Sequence, residues 1–312
     1  MMIIQTVVLI LLALCIVLFL FTWWANRRIL AVLQPQGRIV EAGGVAFQVH
    51  EQGSGPALIL IHGLAGQMRH FTYGVARILS QRFHVVTIDR PGSGYSVRPS
   101  SMSADISAQA TAIAQLMGVL KLGPCLVVGH SLGGAVALTL ALEHPECVTG
   151  LALLAPLTHL PKDSRPPAAF AALMISSAWL RSLFAWTLVV PGSILQRDVV
   201  LGQVFGPDAV PDDFALKGGG LISLCPHQFI AASRDMQAIP ERLPAIQSRY
   251  HELRIPVQVL YGRDDRILSW KHNGQALVDK IPGAKLVLVD GGHMLPVTQP
   301  ELTADFIAAA AA

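Results

Sequence analysis

One run of five residues constrains this chain more than any other: Gly129-His130-Ser131-Leu132-Gly133, set directly after the apolar stretch Cys125-Leu126-Val127-Val128. The stretch is entered from Gly123-Pro124 and has the composition of a buried parallel strand. The residues that follow, Ala135 to Leu142, read as a helix buried on most sides. A strand that passes into a helix within five residues needs a sharp turn. A side chain at Gly129 or Gly133 would collide with the neighbouring helix or strand. Such a turn holds the Ser131 hydroxyl clear of the backbone, beside a helix N-terminus. The pattern predicts an α/β architecture and a serine placed to act as a nucleophile.

A serine nucleophile needs a base, an acid to orient that base, and donors for an oxyanion. Each has a candidate on a loop after a strand-like run. Ala57 to Ile61 leads into His62-Gly63-Leu64-Ala65-Gly66, a glycine-bearing loop able to present a backbone N–H. The N–H groups of Leu64 and Leu132 are the expected donors, and His62 reads as a structural residue holding the loop. His84 to Ile88 leads into Asp89-Arg90-Pro91-Gly92-Ser93-Gly94-Tyr95-Ser96, a tight turn that Asp89 and Ser96 are expected to fix. Val257 to Tyr261 leads into Gly262-Arg263-Asp264-Asp265-Arg266, and Lys285 to Val289 into Asp290-Gly291-Gly292-His293-Met294. The chain order is serine, acid, histidine; the pattern by itself leaves Asp264 and Asp265 both open as the acid.

These motifs resemble the α/β-hydrolase superfamily, in particular its lidded esterase and meta-cleavage-product hydrolase branch. The matching runs are His62-Gly63, Asp89 to Ser96, Gly129 to Gly134, Gly262 to Arg266 and Gly292 to Met294. The resemblance implies an α/β-hydrolase fold, mostly parallel, with helices on both faces and a helical cap. It implies a Ser131–His293–Asp265 triad, with Asp265 as the acid, and no cofactor or metal. His130 departs from the C–C hydrolases of that branch, which usually carry Asn before the nucleophile.

The N-terminus is of another kind. From Ile3 to Trp24 there is no charge, and only Gln5, Thr6 and Thr22 are polar. As a helix this would be about 33 Å long, enough to cross a bilayer core. Trp23-Trp24 fits an aromatic belt, and Arg27-Arg28 place the following domain on the cytoplasmic side by the positive-inside rule. The expected organisation is an anchor over 1–26, core over 27–157, cap over 158–254 and core again over 255–312. The net charge of +3 with no basic block excludes a nucleic-acid partner. Cys15, Cys125, Cys147 and Cys225, and the remaining histidines, show no metal-ligand spacing.

Within the expected cap, Ala168 to Val190 is apolar apart from Arg181. A membrane span there would separate Ser131 from Asp265 and His293, so it is expected to be a cap segment. Phe170, Met174, Trp179, Phe184 and Trp186 are its candidates for lining a pocket or packing on the core. An apolar face there would also touch the bilayer and admit a lipophilic substrate. Lys217 to Gly220 reads as a flexible loop, and Asp212-Asp213 as a solvated turn or helix cap. The expected activity is hydrolysis of carboxylic esters with apolar groups. Alternatives are C–C bond hydrolysis of a vinylogous diketone, a cofactor-free haloperoxidase or perhydrolase, and a non-catalytic ligand-binding member of the fold.

Overall fold

The computed structural model describes residues 1–160 and 168–312. Among these residues eight strands form one sheet: β1 Arg38–Ala42, β2 Val45–Gln52, β3 Ala57–Ile61, β4 His84–Ile88, β5 Cys125–His130, β6 Val148–Leu154, β7 Val257–Gly262 and β8 Lys285–Val289. Their spatial order is β1-β2-β4-β3-β5-β6-β7-β8. β3 to β8 are parallel, and the β1–β2 hairpin adds to β4 antiparallel. With helices on both faces, this is an α/β-hydrolase fold.

The central strands are apolar throughout because both faces of the sheet are covered. Along β3 the side chains alternate: Ile59 and Ile61 join the core under the helices Ile106–Leu120 and Leu132–Glu143, while Leu58 and Leu60 join the one under Val75–Leu79 and Pro300–Ala310. The two core helices on the first face are packed through Ala110, Ile113, Ala135 and Leu138. The β1–β2 hairpin was not among the expected strands. Its turn is Gly43-Gly44, with φ of 58° and 74°, the two left-handed residues that a two-residue hairpin turn demands.

The strand order positions the site. From β3 the chain goes to β4 on one side, and then to β5 on the other side of β3. The sheet therefore has a switch point between β3 and β5, where loops at the carboxyl ends diverge and leave a crevice. The His62-Gly63 loop leaves β3 there, and Ser131 follows β5.

The segment between β6 and β7 contributes helices at Ala178–Thr187, Val189–Leu195, Arg197–Phe205 and Pro226–Ser248. β6 and β7 are parallel neighbours, Leu151 beside Val257, so this insertion leaves the carboxyl end of β6 and crosses over to re-enter the sheet beside it at the amino end of β7. The apolar stretch 168–190 is broken into pieces: a 3-10 turn at Ala168–Met174, the helix Ala178–Thr187, and the start of Val189–Leu195, which is bent by 60° from the helix before it.

One N-terminal helix, Met2–Val32, is long and apolar enough to cross a membrane. It is longer than the expected anchor, and the boundary at residue 26 falls inside it. Nothing between Ala25 and Val32 interrupts a helix, and Pro35 lies just past its end. The helix is seated on the insertion by its second half. Phe19 packs on Trp186 at 5.5 Å, Thr22 is fully buried, and Ile29 and Leu33 form a small core with Ile222 and Cys225. The Tyr95 hydroxyl donates to Leu33 O, and Arg69 Nη2 to Gln34 O at 2.6 Å, tying the end of the helix to the body.

Candidate active site

Ser131 occupies φ 55° and ψ −120°, a backbone conformation that side-chain-bearing residues rarely adopt. It is held there by the sheet: Ser131 N–H donates to Leu154 O at 3.0 Å, and Leu157 N–H to Ser131 O at 2.9 Å. The flanking glycines are required by close approach. A Cβ at Gly129 would lie 2.5 Å from Gly133 O, and one at Gly133 only 2.1 Å from Ile61 O. Strain of this kind costs about 1–3 kcal/mol and persists where the surroundings over-determine it.

His293 and Asp265 reach this point from the ends of β8 and β7. His293 Nδ1 donates to Asp265 Oδ2 at 2.7 Å, and the Asp265 side chain is fully buried. Its other oxygen accepts from Ile267 N–H at 2.8 Å and Leu268 N–H at 2.9 Å, so the carboxylate is fixed before it meets the histidine. Among the described residues Asp264 makes no such contact; its N–H donates to Gly291 O at 3.1 Å. Ser131 and His293 line one cavity of about 710 Å³. The hydrogen bonds of His293 go to Asp265 and, through its carbonyl, to His130 Nε2 at 3.0 Å; Ser131 Oγ is not among its partners in this geometry.

The expected oxyanion donors flank the serine. Leu64 and Leu132 both line the cavity, and Gly63 is so close that an added Cβ would sit 2.8 Å from Ser131 Cβ. His62 is fully buried and structural: Arg90 N–H donates to its Nε2 at 2.9 Å. That leaves Nδ1 as the protonated nitrogen, donating to Gly63 O at 2.8 Å. Burial, and then the Arg90 charge, hold the His62 pKa well below its ordinary range. Asp89 fixes the following turn by accepting from Met68 N–H at 2.7 Å and Tyr95 N–H at 2.9 Å. The Ser96 hydroxyl donates to Asp89 O at 2.7 Å. Burial nonetheless raises the Asp89 pKa to about 6, against the pull of those two N–H groups.

The cavity wall is mostly apolar, with Leu157, Phe170, Met174, Val204, Phe214 and Leu268 among its residues. Of the five expected cap candidates, Phe170 and Met174 line it; Trp179, Phe184 and Trp186 do not. The helix Ala178–Thr187 turns them elsewhere: Trp179 outward at 70% exposure, Phe184 onto Phe229 at 5.4 Å, and Trp186 onto the N-terminal helix. The Lys217–Gly220 loop also corrects its reading. Gly219 is a close-approach residue, where a Cβ would fall 1.6 Å from Gln67 Nε2, and Gln67 Nε2 donates to Gly219 O at 2.8 Å. Asp213 does lie in a solvated turn, its side chain 41% exposed, and it also accepts from the Tyr73 hydroxyl at 2.6 Å, tying the insertion to the core.

Several residues at the site were missed from the sequence. His70 and His130 share the cavity wall, each with an unpartnered buried Nδ1 among the described residues. Burial, with His293 nearby, lowers the His70 pKa to about 4 and keeps His130 well below its usual range. Asp208 accepts from Gly292 N–H at 3.0 Å and Thr298 Oγ1 at 3.2 Å, steadying the loop that carries His293. Asp235 pairs with Arg90 at 2.8 Å and Arg98 at 2.7 Å, all with essentially no exposure. An arginine just after an apolar strand was a visible signal for Arg90. Asp208 and Asp235 carried none, because their partners lie far away in the chain. Among the described residues no group of three or more His, Cys, Asp or Glu side chains could hold a metal ion.

Comparison with known proteins agrees with this fold. A family model described as "Alpha/beta hydrolase family" matches residues 58–306. An uncharacterized protein of Mycobacterium tuberculosis (strain H37Rv) is 30% identical over 266 residues, spanning 84% of this chain and 76% of that protein. Among solved structures, an alpha/beta hydrolase fold protein from Burkholderia ambifaria superposes with a TM-score of 0.74 at 23% identity, over 88% of this chain and 98% of that one. A membrane phospholipase A, titled a bacterial virulence factor, superposes at 0.68 and 23% identity, over 99% of this chain and 97% of that one.

Proposed function

The chain belongs to the alpha/beta hydrolase family and is a hydrolase by class, and from that premise we propose that it cleaves carboxylic esters through an acyl-enzyme on Ser131. The observation that carries this reading is the conjunction at one cavity of Ser131, in its strained turn, with a His293 whose Nδ1 is bound to the buried Asp265 at 2.7 Å. His293 Nε2 takes the Ser131 proton as Oγ attacks the ester carbonyl, and then protonates the leaving alcohol. Asp265 holds the imidazole in the required tautomer and stabilises its cation. The N–H groups of Leu64 and Leu132 receive the oxyanion; losing one such donor typically costs about 3–4 kcal/mol of barrier. Water then attacks the acyl-enzyme, with His293 as base.

The substrate class is an apolar ester. The helices between β6 and β7 act as a cap, and the wall they complete is largely aliphatic and aromatic. The N-terminal helix is proposed as the membrane anchor, with the catalytic domain cytoplasmic because Arg27 and Arg28 follow the span. These arginines lie over the rings of Trp23 and Trp24, at 5.1 Å and 5.8 Å. Only Met2–Val17 stands clear of the body, which as a helix is about 24 Å, shorter than the roughly 30 Å hydrocarbon core of a bilayer. The deficit draws the cap into the interface, where Trp179 and Leu195, 70% and 86% exposed, enter the headgroup layer.

The test is a series of chromogenic esters of increasing acyl length, run on the full chain in detergent micelles, with Ser131→Ala and His293→Ala alongside. Rising kcat/KM with chain length, loss of turnover in both variants and labelling of Ser131 by a fluorophosphonate are expected. Turnover that survives Ser131→Ala would overturn the reading.

A further inference from the structure

The peptide unit joining Gly63 to Leu64 is held by its oxygen. Gly63 O accepts from Arg90 Nη2 at 2.9 Å and from His62 Nδ1 at 2.8 Å, with Gly66 N–H at 3.3 Å as a third donor. Arg90 Nε donates to the preceding carbonyl, His62 O, at 2.9 Å, so one guanidinium grips two consecutive carbonyls. In a trans peptide the C=O and N–H point in opposite directions. Donors on Gly63 O therefore aim the Leu64 N–H the other way, and they polarise the unit so that the N–H becomes a stronger donor.

Arg90 is itself immobilised. Its Nη1 donates to Gln109 Oε1 at 2.7 Å and to Asp235 Oδ2 at 2.8 Å, and its side chain is fully buried. Asp235 belongs to the helix Pro226–Ser248, on the insertion between β6 and β7. The same carboxylate takes Arg98 Nη1 at 2.7 Å. The pair is expensive to bury, and such pairs are often no more stabilising than apolar residues of the same size. A structural role alone thus accounts poorly for a cation at this point. We propose that Arg90 is a positioning residue for the oxyanion hole, setting the direction and donor strength of the Leu64 N–H, and that Asp235 couples this setting to the seating of the insertion. The proposal rests on the reading of Ser131 and Leu64 given above.

The experiment compares wild type, Arg90→Met, Arg90→Lys, Asp235→Asn and Ser131→Ala, each as the full chain in micelles. It measures ester kcat and KM, the inhibition constant of an alkylboronic acid (which forms a tetrahedral adduct on the serine) and the affinity of a long-chain primary alcohol, a ligand for the cavity alone. Arg90→Met removes both carbonyl contacts. It is expected to lower kcat/KM by about 10²–10³, as for loss of one oxyanion donor, through kcat, with KM within about threefold. The boronate constant rises in the same proportion while alcohol affinity is unchanged. Arg90→Lys keeps the charge and the Asp235 pair, restores one donor and recovers part of the loss. Asp235→Asn moves kcat in the same direction by a smaller factor. If Arg90→Met does not melt cooperatively, Arg90→Lys decides. A folded Arg90 variant with wild-type kcat/KM and boronate affinity would overturn the proposal, as would equal weakening of alcohol, boronate and ester. Turnover retained by Ser131→Ala would instead remove the reading on which the proposal stands.

Discussion

Gly133→Ala adds one methyl group at the most confined point of the turn around Ser131. The new Cβ would lie 2.1 Å from Ile61 O, 2.5 Å from His62 O and 2.7 Å from Ile61 C, where real Cβ contacts essentially never fall below 3.0 Å. The collision is with backbone, so no rotamer relieves it. Ile61 is paired in register with Ile88 on one side and Gly129 on the other, so β3 cannot withdraw. The helix Leu132–Glu143 must therefore back away by about 1 Å, taking Ser131 and the Leu132 N–H with it. A displacement of that size can cost on the order of 100-fold in rate, and overpacking of this kind about 1–3 kcal/mol of stability. The assay is ester kcat/KM per active site, with sites counted by fluorophosphonate titration, together with a thermal melt. Gly118→Ala is the control: it lies in the helix Ile106–Leu120 with nothing within 4 Å of an added Cβ. It is expected to keep full activity and gain about 0.5–1 kcal/mol. Gly133→Ala with activity within threefold of wild type and an unchanged melt would refute the reasoning.

Other outcomes follow from single residues. Lys121 ends its helix at φ 55°, so Lys121→Gly removes a left-handed strain and is expected to raise stability by about 0.5–1 kcal/mol in denaturant unfolding. Asp208→Ala leaves Gly292 N–H and the Thr298 hydroxyl without their acceptor. It should cost about 1–3 kcal/mol and lower kcat, whereas unchanged kcat would show that the His293 loop is held by other contacts. The pKa of His70 is lowered from 6.5 to about 4, so between those values the folded protein binds fewer protons there than the unfolded chain. Its contribution is present above about pH 6.5 and is lost as pH falls through about 4, by at most about 3 kcal/mol. Asp89, raised to about 6, works in the opposite sense: its contribution is present in acid and is lost as pH rises through about 6. Unfolding midpoints across that range should show a shallower acid decline for His70→Gln than for wild type, and parallel curves would contradict the assignment.

The sequence by itself determined the parallel core. β3, β4 and β8 begin and end where their apolar runs do, and the remaining expected strands differ only at their ends. An interior strand covered on both faces is nearly continuously apolar, and that pattern is legible locally, while the partly exposed edge strand β8 shows a short apolar run of its own. The turn at Ser131 was legible for the same kind of reason, since its glycines answer to contacts within a few residues. The β1–β2 hairpin was not, because its short edge strands carry a weak pattern and its turn rests on two glycines alone.

What only the tertiary structure decided is everything that depends on which distant segments meet. It joined His293 to Asp265 and left Asp264 out. It divided the apolar residues of 168–190 between cavity, inner core and exposed surface, a division their composition does not encode. It brought Asp208 to the His293 loop and Asp235 to Arg90 across 84 and 145 residues. It also turned the lower part of the N-terminal helix into a docked element. Local sequence specifies what a segment can form, through steric fit and burial pattern. A charge, a hydrogen bond or an apolar face acquires its role only from the partner that folding places against it.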